Sequence, residues 1–266
     1  MAGPRIHQKL PAVQVAVGGT SIIKLPIGRT YHAVYMAFSN CSLAEITDIR
    51  LVANGVVLHR YDTGTDLDVL NQQNGLPTVG SGDFTLPLAI HFDRKGLRAR
   101  IAEEFTCLGT GIIDDPTPIT TLQLEIDIAN SATGATLTAK AEQSGPQLSG
   151  LVLKTKLFQY TAPAAGVFEV SDLPRGDLIN RVYFKSNAIT GVEVERDGFT
   201  LFDRSLTENN YILGLDGYKS APSLGYMFDP SEHGYDNAAL TTKNVNDLRF
   251  KLTMSGASSI LSLIHI

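Results

Sequence analysis

The residues that could do chemistry in this 266-residue chain are its 6 histidines, its 27 acidic side chains and its 2 cysteines. The histidines are His7, His32, His59, His91, His233 and His265, and none stands in an H-x-H pair. The closely spaced imidazoles that a metal-holding β barrel needs are therefore missing. No G-x-S-x-G elbow, H-E-x-x-H helix, P-loop or G-x-G-x-x-G turn is present, and Gly109-Thr110-Gly111 reads as a turn. The neighbouring carboxylates Glu103-Glu104 and Asp114-Asp115 would point to opposite faces of a strand, which marks solvated surface rather than an acid–base pair. The common hydrolase, phosphotransferase and dehydrogenase classes are excluded, and the chain reads as a non-enzyme.

One acidic stretch is of a different kind. Asp62-Thr63-Gly64-Thr65-Asp66-Leu67-Asp68 gathers three carboxylates around a glycine, and hard oxygen ligands on a flexible loop are what calcium takes. No distal bidentate glutamate follows, and Asp66 also suits the N-cap of a short helix through Val69 and Leu70. Capping is the reading the residues favour. Calcium at Asp62, Asp66 and Asp68 is the second, and no other cofactor is expected.

The elements that would position these groups are almost all strands. Short alternating or apolar runs at 13–17, 21–25, 31–38, 46–52, 56–58, 84–92, 122–128 and 135–141 are broken by Gly, Pro, Asn and Asp. Asn54-Gly55 supplies the positive φ angles of a tight hairpin turn. Leu97, Ile101 and Phe105 stand four apart, which predicts a short surface helix over 96–105. The loop 229–236 is rich in polar and turn residues and reads as an exposed rim.

The second half repeats the first in the same order. Leu25-Pro26-Ile27-Gly28-Arg29 matches Leu173-Pro174-Arg175-Gly176-Asp177, and Phe38-Ser39-Asn40 matches Lys185-Ser186-Asn187. Asn54-Gly55 matches Asp197-Gly198, and Phe92-Asp93 matches Phe228-Asp229. Finally, Leu122-Gln123-Leu124-Glu125-Ile126 matches Leu248-Arg249-Phe250-Lys251-Leu252. The drifting offsets are loop insertions between two copies of one all-β unit. The fold expected is two tandem eight-stranded jelly rolls, 1–145 and 164–266, joined by a linker at 146–163, with short helices in the connecting loops.

Composition narrows the function. Hydrophobic residues make up 43% and charged residues 18%, so the chain folds and much of its surface is uncharged. Lys plus Arg is 22 against 27 acidic residues, a net charge of −5, which argues against coating nucleic acid by charge. The first ten residues lack a signal peptide's apolar stretch, and no run is long enough to span a membrane, so a soluble, unprocessed cytosolic product is expected. Cys41 and Cys107 cannot form a disulfide framework and read as two buried thiols.

The stretch Ser21-Ile22-Ile23-Lys24-Leu25-Pro26-Ile27-Gly28-Arg29-Thr30-Tyr31 resembles the opening of the major capsid proteins of corticoviruses, tailless icosahedral bacteriophages with an internal membrane. Asp172-Leu173-Pro174-Arg175, Val192-Glu193-Val194, Asn210-Tyr211-Ile212-Leu213 and Asp247-Leu248-Arg249-Phe250-Lys251-Leu252 carry the resemblance onward, while 62–84 and 214–245 do not match. The resemblance implies a double jelly-roll coat subunit forming a pseudo-hexameric trimer in the virion shell, made in the bacterial host cytoplasm. Neighbouring trimers, penton and membrane-associated virion proteins would be its partners, with no direct nucleic acid. Barrel flanks and loop 62–84 would carry the contacts, with 214–245 facing outward. The rival from another class is a tandem β-sandwich for carbohydrate binding or adhesion, with Tyr218, Tyr226 and Tyr235 as its aromatic platform.

Overall fold

Residues with alternating burial make half-buried strands, and the computed structural model has nineteen strands among its described residues. It describes residues 4–11, 14–79, 87–111, 118–235 and 238–266. The opening of the 13–17 run, the opening of the 84–92 run, the Asp114-Asp115 pair and Asp236 lie outside the described residues. Unit 1 holds Met1–Gln72, Leu76–Lys95 and Ala99–Thr155; unit 2 holds Gln73–Gly75, Gly96–Arg98 and Lys156–Ile266.

Unit 1 runs through β1 (Ile6–Lys9), β2 (Thr20–Lys24), β3 (Thr30–Ser39), β4 (Ile46–Ala53), β5 (Val56–Thr63), helix α1 (Gly64–Gln73), β6 (Leu88–His91), helix α2 (Arg100–Glu103), β7 (Leu108–Gly109), β8 (Leu122–Ile128) and β9 (Thr136–Ser144). One sheet path is β1-β9-β3-β6, with β7 also on β3; the other is β5-β4-β8-β2. Its core includes Tyr31, Val34, Met36, Ile46, Ile49, Leu51, Leu124 and Ile126.

Unit 2 takes β10 (Thr155–Ala162) after its first residue, then β11 (Gly166–Val170), β12 (Leu178–Ile179), β13 (Arg181–Lys185), β14 (Ile189–Arg196), β15 (Phe199–Ser205), helix α3 (Leu206–Gly214), β16 (Tyr226–Phe228), β17 (Leu240–Thr241), β18 (Leu248–Met254) and β19 (Ser258–His265). Its paths are β16-β13-β19-β10 and β11-β18-β14-β15. Number the eight main strands of each unit in chain order, setting aside β7, β12 and β17. Both units then pair as 1-8-3-6 and 2-7-4-5. This is the jelly-roll order, twice, with a helix after the fifth strand each time.

The matched turns repeat down to single hydrogen bonds. Gly28 and Gly176 have φ of 96° and 99°. In unit 1 the Thr110 hydroxyl accepts from the N–H groups of Gly28 and Arg29 and donates to the Arg29 carbonyl. In unit 2 the Thr242 hydroxyl does the same with Gly176 and Asp177. At the hairpin, Asn54 and Asp197 have φ of 50° and 49°, followed by Gly55 at 77° and Gly198 at 83°. The Asn54 side-chain oxygen accepts from the N–H groups of Thr120 and Thr121, and that of Asp197 from Asn246 and Asp247. A Cβ at Gly55 would meet nothing within 4 Å, so the cost of a side chain there is backbone strain alone. Gly55→Val is therefore expected to destabilise by about 1–3 kcal/mol, with Gly55→Asn much milder because asparagine tolerates this region. Thermal midpoints of the two variants check this.

Several local expectations are corrected. Over 96–105 only Arg100–Glu103 is α-helical; Gly96 takes φ of 82°, and Ile101 and Phe105 are 86% and 61% exposed while Leu97 is buried. Gly109-Thr110-Gly111 begins on a short strand and carries the clamp described above rather than forming a simple turn. In the supposed rim after β16, Asp229, Ser231 and Glu232 are buried, and only His233 and Tyr235 stand out among its described residues. Both cysteines are buried and free.

Candidate functional site

The densest chemistry sits on matched aspartates, each following its unit's sixth main strand. Asp93 has a fully buried side chain. Arg5, just before β1, reaches it at 3.0 Å and also binds Glu104 at 2.6 Å and Glu142 at 2.5 Å. His32 on β3 places Nδ1 at 3.0 Å from Asp93 and Nε2 at 2.9 Å from the Ser144 hydroxyl. The Tyr35 hydroxyl donates to Glu142 at 2.7 Å. Burial pushes the Glu142 carboxyl up, but hydrogen bonds from Tyr35 and Arg5 outweigh it and hold the group below its usual range.

In unit 2, Asp229 accepts from the Gln73 amide at 2.8 Å and from the Ser231 hydroxyl at 2.6 Å, with Lys219 at 3.3 Å. Arg181 on β13 binds Asn74 at 2.9 Å, Gln73, and His265 Nδ1 at 2.8 Å. Burial raises Asp229, yet the nearby Lys219 and Arg181 charges and its hydrogen bonds prevail, and its carboxyl is held low.

These clusters hold charge in place. Their carboxylates sit in ion pairs and hydrogen bonds, the opposite of a base with a free lone pair aimed at a substrate. The thiols are no better suited to attack: burial, helped by neighbouring carboxylates, pushes Cys41 and Cys107 up to about 11, so both stay protonated at neutral pH.

His59 on β5 is also fully buried. Its Nδ1 lies 2.9 Å from the Thr155 hydroxyl, its ring packs against Phe92, and among the described residues Nε2 has no hydrogen-bond partner. Desolvation lowers its pKa from 6.5 to about 4. The neutral ring's contribution is complete above pH 6.5 and drains away as pH falls toward 4, because the unfolded chain then binds the extra proton. About 2 kcal/mol should be lost by pH 5 from this group alone. Urea midpoints between pH 7 and 5 check it, and His59→Leu should flatten the dependence.

The acidic stretch is spread over two elements. Asp62 lies half-buried near the end of β5, whereas Asp66 and Asp68 are buried on α1. Thr63, not Asp66, caps α1: its hydroxyl accepts from the Asp66 N–H at 3.2 Å and donates to the Asp66 carboxylate at 2.8 Å. Asp68 accepts from Gln72, the Thr78 hydroxyl and the Val79 N–H. Among the described residues no three His, Cys, Asp or Glu side chains gather at metal-holding spacing. The tyrosine platform does not form either. Tyr226 is fully buried, and Arg98 lies over the rings of Tyr218 and Tyr235 at 4.6 and 4.9 Å.

The clusters around Asp93 and Asp229 were not legible as sites. The repeated Phe-Asp pair was their one signal, and partners such as Arg5 and Lys219 carry no motif.

Exposed apolar side chains form a different kind of surface. In unit 1 a groove of about 410 Å³ is lined by Ile101, Phe105, Cys107 and Leu148. In unit 2 Phe199 and Val167 are 74% and 67% exposed. Such surface suits contact with other protein.

Comparison with known proteins follows both units. Residues 7–144 match the viral coat protein P2 N-terminal domain, and residues 152–265 match the viral coat protein P2 C-terminal domain. The major capsid protein P2 of Pseudoalteromonas phage PM2 is 29% identical over 259 residues, covering 93% of this chain and 91% of that protein. The crystal structure of the bacteriophage PM2 protein superposes with a TM-score of 0.89 at 24% identity, covering 98% of this chain and 96% of that one. A chain from the atomic structure of Sulfolobus Turreted Icosahedral Virus follows the same fold at a TM-score of 0.66 and 14% identity, over 99% of this chain and 91% of its own. With two jelly rolls and both halves matched in order, the chain belongs to the viral coat protein P2 family and is a structural capsid protein.

Proposed function

We propose that this coat protein works as a homotrimer whose six jelly rolls present a nearly hexagonal outline, tiling the icosahedral shell of a bacteriophage that encloses a membrane. The repetition within one chain carries the reading: the strand order, the glycine clamp and the hairpin turn each occur twice. Three such chains related by cyclic symmetry offer six similar flanks to six neighbours. The exposed apolar side chains of both units support burial of about 2,000–5,000 Å² at permanent interfaces. Barrel flanks and the 62–84 region would carry these contacts, with 214–245 facing outward. Neighbouring trimers, a penton protein and membrane-associated virion proteins are the partners this assembly requires. The net charge of −5 supports a shell that leaves the genome to other components. Synthesis in the bacterial host cytoplasm belongs to the same reading. The barrel boundary is shifted from the expected linker at 146–163: residues 155–162 form β10, the first main strand of unit 2, so the second barrel begins ahead of 164.

Mild cross-linking of the purified particle tests this: the dominant protein band should shift to three times the chain mass. A particle whose dominant band is another protein would overturn the assignment. Calcium at Asp62, Asp66 and Asp68 is proposed only with further oxygen ligands from a neighbouring subunit, since within the chain these carboxylates are spread over β5 and α1 and do not gather at metal-holding spacing. Chelation should then lower the assembly's thermal midpoint in the parent and leave that of Asp66→Ala unmoved; no response to calcium ends the idea.

A further inference from the structure

On three neighbouring strands the two barrels carry one line of charges with the signs exchanged. In unit 1 a row crosses one sheet through Ile22 on β2, Glu125 on β8, Arg50 on β4 and Arg60 on β5, each directly opposite the next. In unit 2 the matching row is Glu169 on β11, Lys251 on β18, Glu193 on β14 and Asp203 on β15. The registers agree beyond this row. Leu51 faces Leu124 where Val194 faces Phe250, and Ala53 faces Leu122 where Arg196 faces Leu248. The seventh main strand is thus acidic against a basic neighbour, Arg50, in unit 1 and basic against two acidic neighbours, Glu169 and Glu193, in unit 2. Both native pairings are satisfied: Arg50 Nε is 3.1 Å from Glu125, and Lys251 is 3.7 Å from Glu193 and hydrogen-bonded to Glu195.

This matters because the apolar alternation of β8 and β18 is the same, buried at every second residue. Hydrophobic pattern alone cannot tell a folding chain which of the two strands belongs in which barrel. Charge can. β18 inserted into unit 1 would set Lys251 against Arg50, with Arg60 next in line. β8 inserted into unit 2 would set Glu125 between Glu169 and Glu193. Like charges directly opposite destabilise a strand pair where opposite charges support it, so each exchange loses on both counts.

We propose that this sign reversal labels the seventh main strand of each barrel for its own sheet, suppressing exchange between the two repeats within a chain or between chains. It acts during folding, when homologous strands compete, and separately from whatever the folded protein assembles into.

The test is to give both barrels one polarity while keeping an opposite-sign pair between the fourth and seventh main strands of each. In a Glu169→Gln background, which serves as the parent so that residue 251 never meets a like charge on β11, Glu193→Arg with Lys251→Glu preserves the opposite-sign pair in unit 2 and leaves Glu195 facing Arg249. Refolding from denaturant at micromolar concentration should then return roughly threefold less native protein than the parent, the remainder appearing as aggregates or exchanged oligomers. Adding Arg50→Glu and Glu125→Lys makes the barrels opposite again and should restore recovery. Full recovery by the double variant would overturn the proposal. So would a deficit that persists in the quadruple variant, since the fault would then be local to the substituted sheets.

Discussion

Asp229→Ala is expected to cost about 3–5 kcal/mol, because it removes the carboxylate from a cluster that holds two buried cations. Arg181 and Lys219 are 6% and 5% exposed, and Asp229 faces Lys219 at 3.3 Å. Water cannot reach either cation well enough to replace it. The Gln73 amide and the Ser231 hydroxyl would also lose their acceptor. Asp229→Asn should cost less, since its side-chain oxygen can still accept a hydrogen bond, though the charge is gone. Acid should act the same way. The folded carboxyl is held low, so its contribution is present above the unfolded value near 4 and is lost as pH falls below it. Urea midpoints of both variants at neutral pH check the ordering.

The second large effect lies in the core of the same unit. Phe250 on β18 is fully buried between Phe184, at 5.8 Å between ring centroids, and Phe228, at 5.4 Å in an edge-on arrangement. Phe228 in turn meets Phe202 edge-on at 5.0 Å. Phe250→Ala would open a void at the centre of this ring cluster, where β-sheet neighbours cannot collapse to fill it. A loss of about 3–5 kcal/mol follows. Phe250→Leu keeps most of the volume and should recover more than half of that. The leucine at the matching position of unit 1, Leu124, shows that the register accepts it. Thermal or denaturant midpoints separate the two.

What could be read from the residues was whatever is local. Gly28 and Gly176 follow Leu-Pro in the same order and take nearly the same left-handed φ, because a turn that tight tolerates little else. Asn54-Gly55 and Asp197-Gly198 name their turn type outright. The strands β8 and β18 announce themselves by alternation. Contacts between distant segments were hidden. Nothing marks Thr110 and Thr242 as the hydroxyls that close the glycine turns, since threonine is common in any strand-rich chain. Arg5 looks like an ordinary N-terminal cation until β1 lies on β9 and brings it to three carboxylates. The helix over 96–105 failed for a related reason. Residues Gly96–Arg98 belong to unit 2, where the Arg98 N–H donates to the Gly234 carbonyl, and a pattern of apolar spacing carries no trace of that pull.

The coat-protein reading also explains why so much of the chain's chemistry is spent on holding charge and turn geometry rather than on a cleft. Its consequence is a specific assembly state. Sedimentation velocity at micromolar concentration is the most direct test: the chain mass of 28.7 kDa predicts a compact species near three times that value, about 86 kDa. That trimer should persist on dilution and lose its β structure in the same transition as its quaternary structure. A stable, compact monomer of single-chain mass under those conditions would contradict the account.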